Sequence, residues 1–126
     1  MASITLVRSN LLIESVFRRV HTFVITLMYT LIDWDEVKNL RNLRKHGIDF
    51  DSAAELFNYP HLAHLDTREN HGEERWISVG WIGTILGVVV FTDCEGPDHR
   101  TNIIRILSAR KATKKEVALF EQEVKD

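Results

Sequence analysis

The sequence predicts an α+β domain with two short N-terminal helices, a meander of about four antiparallel strands and a closing helix. Three observations carry that reading. Residues 36–46 have helical periodicity between a capping Asp and Gly47. Residues 75–109 fall into alternating or apolar runs separated by glycine-bearing turns. Thr113 and Glu116 stand at capping-box spacing ahead of a last helical stretch. A chain of 126 residues suits one domain with one core.

Taken in chain order, Tyr29 to Ile32 reads as a short strand leading to Asp33 or Asp35, either a good N-cap. The first helix runs from about Glu36 to His46 and stops at Gly47, the residue most tolerant of a left-handed C′ position. At 100° per residue, Val37, Leu40 and Leu43 share one side, and Lys38, Arg41, Asn42 and Lys45 the opposite one. Asp51 or Ser52 caps a second helix, Ala53 to Phe57, which Asn58-Tyr59-Pro60 ends. His61 to Leu65 is a strand and Asp66 to Glu74 a polar turn. Arg75 to Trp81 alternates, with Arg75, Ile77, Val79 and Trp81 on one face and Trp76 and Ser78 on the other. Gly83 marks a hairpin into the central strand, Ile85 to Phe91; a loop over 93–102 leads to the last strand, Ile103 to Ala109. Thr113 caps the final helix, Lys114 to about Lys125.

Residues 1–27 differ from the rest. Leu12, Ile13, Val16, Phe17, Val20 and Val24 follow the spacing of an amphipathic helix. The run Phe23 to Ile32 lies behind Arg18 and Arg19, but it is too short to span a bilayer and no small-x-small cleavage pattern follows. We expect 1–27 to be a non-native or flexible extension, Met28 the natural start, and 28–126 the working domain.

The net charge of −2 argues against a surface given over entirely to nucleic acid, but the charges are blocked. Residues 38–45 carry Lys38, Arg41, Arg44 and Lys45 without an acid; 49–74 are acidic apart from Arg68; 100–115 carry only cations. Such blocks predict a basic working face, of the kind that handles phosphate, and RNA is the first phosphate to consider. Cys94 is the only cysteine, which rules out an intramolecular disulfide and suits a reducing compartment. Asp93 and Glu95 beside it oppose a thiolate nucleophile.

His61, His64, Asp66 and His71 invite a metal reading, but strand positions three apart point to opposite faces, and Pro60 discourages the helix that would join them. No Gly-rich phosphate loop, zinc spacing or Ser-His-Asp arrangement is present, so neither a metal nor another cofactor is expected. His46, at a helix C-terminus beside the basic face, suits both the helix dipole and acid–base work. Arg105, among Ile104, Ile106 and Leu107, needs either a phosphate or an acid such as Glu74 or Asp66. Arg105 and Arg110 differ in parity, so a bulge or the strand's end near Ser108 must intervene if both serve one site.

Trp34-Asp35, Lys38, the block Asn42 to Ile48 containing Lys45-His46-Gly47, Phe50, Ala53, Phe57, Asp66, Glu74-Arg75, Gly80, the block Arg105 to Thr113 and Glu116 together resemble the BrnT ribonuclease toxins of bacterial type II toxin–antitoxin systems. Two departures stand out: Phe120 occupies a position where the family tends to have tyrosine, and residues before Met28 have no counterpart. The resemblance implies a RelE-like fold and a cytoplasmic endoribonuclease that inhibits translation. It also implies a BrnA-like antitoxin that forms a hetero-oligomer with the toxin and contacts operator DNA. On that basis the candidate catalytic residues are Lys45 and His46 for proton transfer and Arg75, Arg105 and Arg110 for charge stabilisation. Lys38 and Lys111 would hold backbone phosphates, and Trp34 would offer a stacking surface. The competing expectation is a non-catalytic nucleic-acid or protein-binding module that uses the same basic face only to dock.

Overall fold

Asp35 decides where the first helix begins. In the computed structural model, which describes residues 2–13, 25–67, 73–96 and 101–124, its carboxylate accepts from the backbone N–H of Val37 at 2.8 Å and of Lys38 at 3.4 Å. These bonds, the one from Val37 foremost, hold the Asp35 carboxyl below its usual range. Helix α1 (Glu36–His46) ends at Gly47, whose φ of 75° is the left-handed C-cap anticipated from sequence. Asp49, not Asp51 or Ser52, caps the next helix, accepting from Ser52 N–H at 2.7 Å. Helix α2 therefore starts earlier than expected, at Phe50–Ala53, and passes into a 3-10 turn over Ala54–Asn58. The closing helix, α3 (Lys114–Val124), has the expected capping box. Thr113 N–H donates to Glu116 Oε1 at 2.8 Å, and Glu116 N–H to Thr113 Oγ1 at 3.2 Å.

The strands are β1 (Ala2–Ile13), β2 (Ile25–Asp35), β3 (Leu62–Leu65), β4 (Trp76–Ile82), β5 (Ile85–Glu95) and β6 (Thr101–Lys111). They form one sheet in the order β1-β2-β6-β5-β4-β3. The α+β class holds, but the antiparallel meander is only part of the sheet. The short strand expected at Tyr29–Ile32 is longer and pairs parallel with β6, from Tyr29 opposite Thr101 to Trp34 opposite Ile106. The sheet is therefore mixed, and a RelE-like arrangement of four antiparallel strands does not describe it fully. A parallel partner reaches β6 because the chain between them crosses through two helices and a meander. The amphipathic helix expected over 12–24 lies mostly outside the described residues; Leu12 and Ile13 belong to β1, which pairs antiparallel with β2.

Alternation splits the core across the two faces of the sheet. One face carries Ile32, Trp34, Val89, Phe91, Ile104, Ile106 and Ala109, and α2 with the 3-10 turn after it covers this face with Phe50, Ala53 and Leu56. The other carries Ile77, Val79 and Val88 under Phe120 of α3. Ser78 is buried on the first face and Ile77 and Val79 on the second, as the alternation of β4 predicts. Gly80 admits no side chain, since a Cβ there would stand 2.9 Å from that of His61.

Helix α1 buries an unexpected side. Val37, Leu40 and Leu43 are 59%, 52% and 42% exposed, whereas Asn39 and Asn42 are buried. The helix lies at the end of β2 and is fastened there by amide hydrogen bonds. Asn39 Oδ1 accepts from Phe50 N–H at 2.7 Å, and Asn42 bonds to Ala109 and Ile48. The apolar stripe that would usually seat such a helix is turned outward. No helix among the described residues is long and apolar enough to cross a membrane.

Candidate functional site

The position of α1 leaves a cleft of about 300 Å³ between the helix and the sheet. Lys38, Arg41, Asn42, Lys45 and His46 line it from α1, and Arg75, Val90, Leu107 and Ser108 line it from the sheet side. The helix stripe reads as one wall: Lys38, Arg41, Asn42 and Lys45 are spaced to share a side, and His46 follows before Gly47 terminates the helix. Gly47 N–H donates to the Leu43 carbonyl at 2.8 Å, fixing the last turn that carries Lys45 and His46.

Arg75 enters just ahead of β4, and its carbonyl accepts from Asp66 N–H at 2.7 Å. Its Nε is buried and has no hydrogen-bond partner. A buried guanidinium N–H without a protein partner is an unusual feature of a folded chain. Arg75 lies in a wall otherwise formed by Val90, Leu107 and Ser108, and its neighbours across the cleft are cations. Among the described residues the lining contains no carboxylate. A ligand that satisfies this lining is an anion, and a phosphate fits the bidentate geometry of arginine.

The parity problem of β6 is resolved by a bulge. Val90 pairs with Ser108, but Phe91 pairs with Ile106, so Leu107 is the extra residue. Ile104, Ile106 and Ala109 consequently share one face, and Arg105, Ser108 and Arg110 the other. That second face also carries Ile77, Val79 and Val88, with Arg75 in phase with them. The bulge thus gathers Arg75, Arg105 and Arg110 on one side of the sheet. Their settings differ. Arg105 stands opposite Asp33 in the parallel register, and its Nη2 donates to Asp33 Oδ2 at 3.2 Å. The acid partner considered for Arg105 exists, but it is Asp33, not Glu74 or Asp66. Arg110 donates to both oxygens of Glu116, at 2.8 and 2.9 Å, in a two-pronged ion pair. That guanidinium, together with the Thr113 backbone N–H, holds the Glu116 carboxyl down at about 2. Neither arginine is among the residues lining the cleft.

Other described positions singled out in the sequence lie outside the cleft. Trp34 offers no stacking surface: it is 5% exposed, meets Phe50 edge-on at 6.3 Å between ring centroids, and donates through Nε1 to Glu36 Oε2. Its place in β2 points it into the core, which is the physical reason. Lys111 is exposed at the end of β6 and outside the cleft lining. Phe120 is a core residue packed edge-on against Trp81, at 6.4 Å between ring centroids. His61 is engaged with its surroundings, donating through Nδ1 to the Tyr59 carbonyl at 2.8 Å and meeting Phe57 edge-on; His71 lies outside the described residues. Arg41, Asn42, Ser108, Val90 and Leu107 complete the cleft but are not among the site residues that the sequence singles out. Arg41 and Asn42 stand in the helical stripe, and Ser108 lies inside the block Arg105 to Thr113. Val90 and Leu107 carry no sequence signal beyond strand character.

Sheet, cleft and lining together define a small α+β domain with a cationic cleft beside its sheet. Over residues 34–116 the chain matches the family model described as ribonuclease toxin, BrnT, of type II toxin–antitoxin system. The chain belongs to the BrnT family. No curated protein matches it significantly.

Proposed function

We propose that this protein is a cytoplasmic endoribonuclease toxin that cuts RNA in the cleft between α1 and the sheet without a metal ion and thereby inhibits translation. The observation that carries the reading is Arg75, whose buried Nε has no protein partner in a cleft walled by Lys38, Arg41, Lys45 and His46. Divalent ions are held by carboxylate and carbonyl oxygens. Among the described residues the cleft is lined by several cations and no carboxylate, which supports neutralisation of the reacting phosphate by side chains.

In this mechanism the ribose 2′-oxygen attacks the adjacent phosphorus while a base takes its proton. The P–O5′ bond breaks, and an acid returns a proton to the departing O5′. The products are a 2′,3′-cyclic phosphate and a 5′-hydroxyl. Lys45 and His46, adjacent at the end of α1, are the proton-transfer pair. Arg75 stabilises the charge that builds on the phosphorane oxygens, and Lys38 and Arg41 hold flanking phosphates. Arg105 and Arg110 face the same side but are engaged by Asp33 and Glu116, so we give them supporting roles at its margin.

Membership of a toxin–antitoxin family supports an antitoxin partner. We propose a BrnA-like protein that binds the toxin as a hetero-oligomer and carries the contacts to operator DNA. The test is cleavage of a short end-labelled RNA by purified protein in EDTA, with mass analysis of the ends. Cyclic phosphate and 5′-hydroxyl termini, produced by the wild-type protein and lost in Arg75→Ala, are expected. Salt-dependent RNA binding with intact RNA would instead identify a docking module.

A further inference from the structure

The parallel pairing of β2 with β6 ends at Trp34 opposite Ile106. Beyond it the chain turns at Asp35 into α1, so among the described residues no strand borders the outer edge of β6 at Ala109. Backbone N–H and C=O groups buried at such an edge need partners from elsewhere. Asn42 supplies both. Its Oδ1 accepts from Ala109 N–H at 3.1 Å, and its Nδ2 donates to the Ala109 carbonyl at 2.8 Å. The same Nδ2 donates to the Ile48 carbonyl at 2.9 Å. One buried amide thus replaces two ladder bonds of a missing strand and ties α1, the segment after it and β6 into one unit.

We propose that Asn42 is a positioning residue for RNA cleavage, holding the cationic wall of α1 in register with the bulged wall at Leu107–Ser108. The inference rests on the reading that this cleft cuts RNA. Asn42 also lines the cleft, between the turns that carry Lys38 and Lys45 and next to Arg41. Ala109, its partner, follows directly on Ser108 of the opposite wall. The two walls come from segments 67 residues apart, and these two bonds join them where the catalytic groups must converge. Leucine at this position would fill space but would leave the Ala109 edge unmatched, and the spacing of the walls would be set by packing alone.

The experiment compares Asn42→Ala with Asn39→Ala, below the melting temperature of each, in the same RNA cleavage assay. Asn39 is an equally buried amide on the same helix, bonded to Phe50 N–H and Glu36 and outside the cleft lining. Asn42→Ala is expected to lower kcat by about 10²-fold, the loss that a misplacement of about 1 Å brings. Its KM should move less than about threefold, because phosphate binding by the cations persists. Asn39→Ala should lower the melting temperature and leave kcat at the wild-type value.

Asn42→Asp gives a second, independent readout. Its carboxylate cannot donate to the Ala109 carbonyl, whereas the protonated acid can accept from Ala109 N–H and donate once, to the Ala109 or the Ile48 carbonyl. The kcat of Asn42→Asp relative to wild type should therefore recover as pH falls, and this readout decides if Asn42→Ala does not fold. Equal kcat losses in the two alanine variants, or a pH-independent ratio for Asn42→Asp, would overturn the positioning role. Wild-type protein that leaves RNA uncut overturns the functional reading itself, and the positioning role with it.

Discussion

Arg75 and Arg110 are the same residue type on the same face of the sheet, yet the protein holds them in opposite ways. Arg110 is matched on both terminal nitrogens by Glu116 of the helix that follows it. Arg75 has a buried Nε with no partner, in a cleft lined by other cations and, among the described residues, no carboxylate. Arg105 sits with Arg110 in this respect, tied to Asp33 by the register of β2 against β6. A satisfied guanidinium contributes to the fold, and one left unmatched costs stability unless a ligand completes it. Charge density in the sequence cannot separate the two cases. Partner geometry separates them: the ion pairs lie at the sheet margin, and the unmatched Nε supports the proposal of Arg75 as the catalytic arginine.

The sharpest way to break this contrast is to remove each arginine and read activity and stability separately. Arg75→Ala should lower the RNA cleavage rate by about 10²–10³-fold, as loss of one charge-stabilising donor does elsewhere. Its urea midpoint should stay close to wild type, because Nε gives up no protein hydrogen bond. Full cleavage activity in Arg75→Ala would remove the cleft from the mechanism.

Arg105→Ala should do the reverse. It leaves the Asp33 carboxylate, whose side chain is 10% exposed, without its cation, while its other oxygen is already buried and unpartnered. Stranding a fully buried charge costs about 3–5 kcal/mol. The guanidinium here is 44% exposed, so solvent screens the pair and a loss of about 1–2 kcal/mol is expected. Asp33→Asn in the same chain should restore most of it, and a double-mutant cycle by urea unfolding measures the coupling. A cycle without coupling would show that Asp33 and Arg105 are neighbours only by register.

The Arg110–Glu116 pair makes a pH prediction. The folded-state pKa of Glu116 is depressed from 4.5 to about 2. Its contribution to stability is therefore complete above pH 4.5 and lost as pH falls through about 2. Because the side chains of the pair remain 40% and 25% exposed, that contribution is reduced by screening to about 1 kcal/mol. Urea midpoints at pH 7 and pH 3 should converge in Glu116→Gln relative to wild type. An unchanged pH dependence in that variant would place the acid sensitivity in other carboxylates.

Much of the fold was legible because local chemistry announces itself: Gly47 as a C-cap, Thr113 with Glu116 as a capping box, and alternation along β4 all appear as expected. The parity of Arg105 and Arg110 called for a bulge or the strand's end near Ser108 if both served one site, and a bulge at Leu107 sets them on one face. What escaped depends on non-local pairing. Nothing near Tyr29–Ile32 indicates a parallel partner beyond residue 100, and the Asp33 partner of Arg105 lies 72 positions away. Trp34 was expected to offer a stacking surface, but its strand turns it into the core. The basic side of α1 was legible as a surface. That Asn42 is a buried clasp within it was not, because periodicity sorts residues by side of a helix and cannot tell which polar side meets a strand edge.

The smallest expected effect tests how firmly the end of that basic wall is held. Gly47 has a φ of 75°, and a Cβ built there meets nothing within 4 Å. Gly47→Ala therefore introduces no clash, and its cost is the conformational penalty of a left-handed non-glycine residue, about 1 kcal/mol. If the last turn of α1 keeps its bond from residue 47 N–H to the Leu43 carbonyl, Lys45 and His46 remain in place and cleavage below the melting temperature is unchanged. A lower melting temperature with wild-type kcat is the expected result. Loss of kcat beyond loss of stability would mean that the helix relaxes by unwinding its last turn, and that the cap sets the geometry of the proton-transfer pair as well as ending the helix.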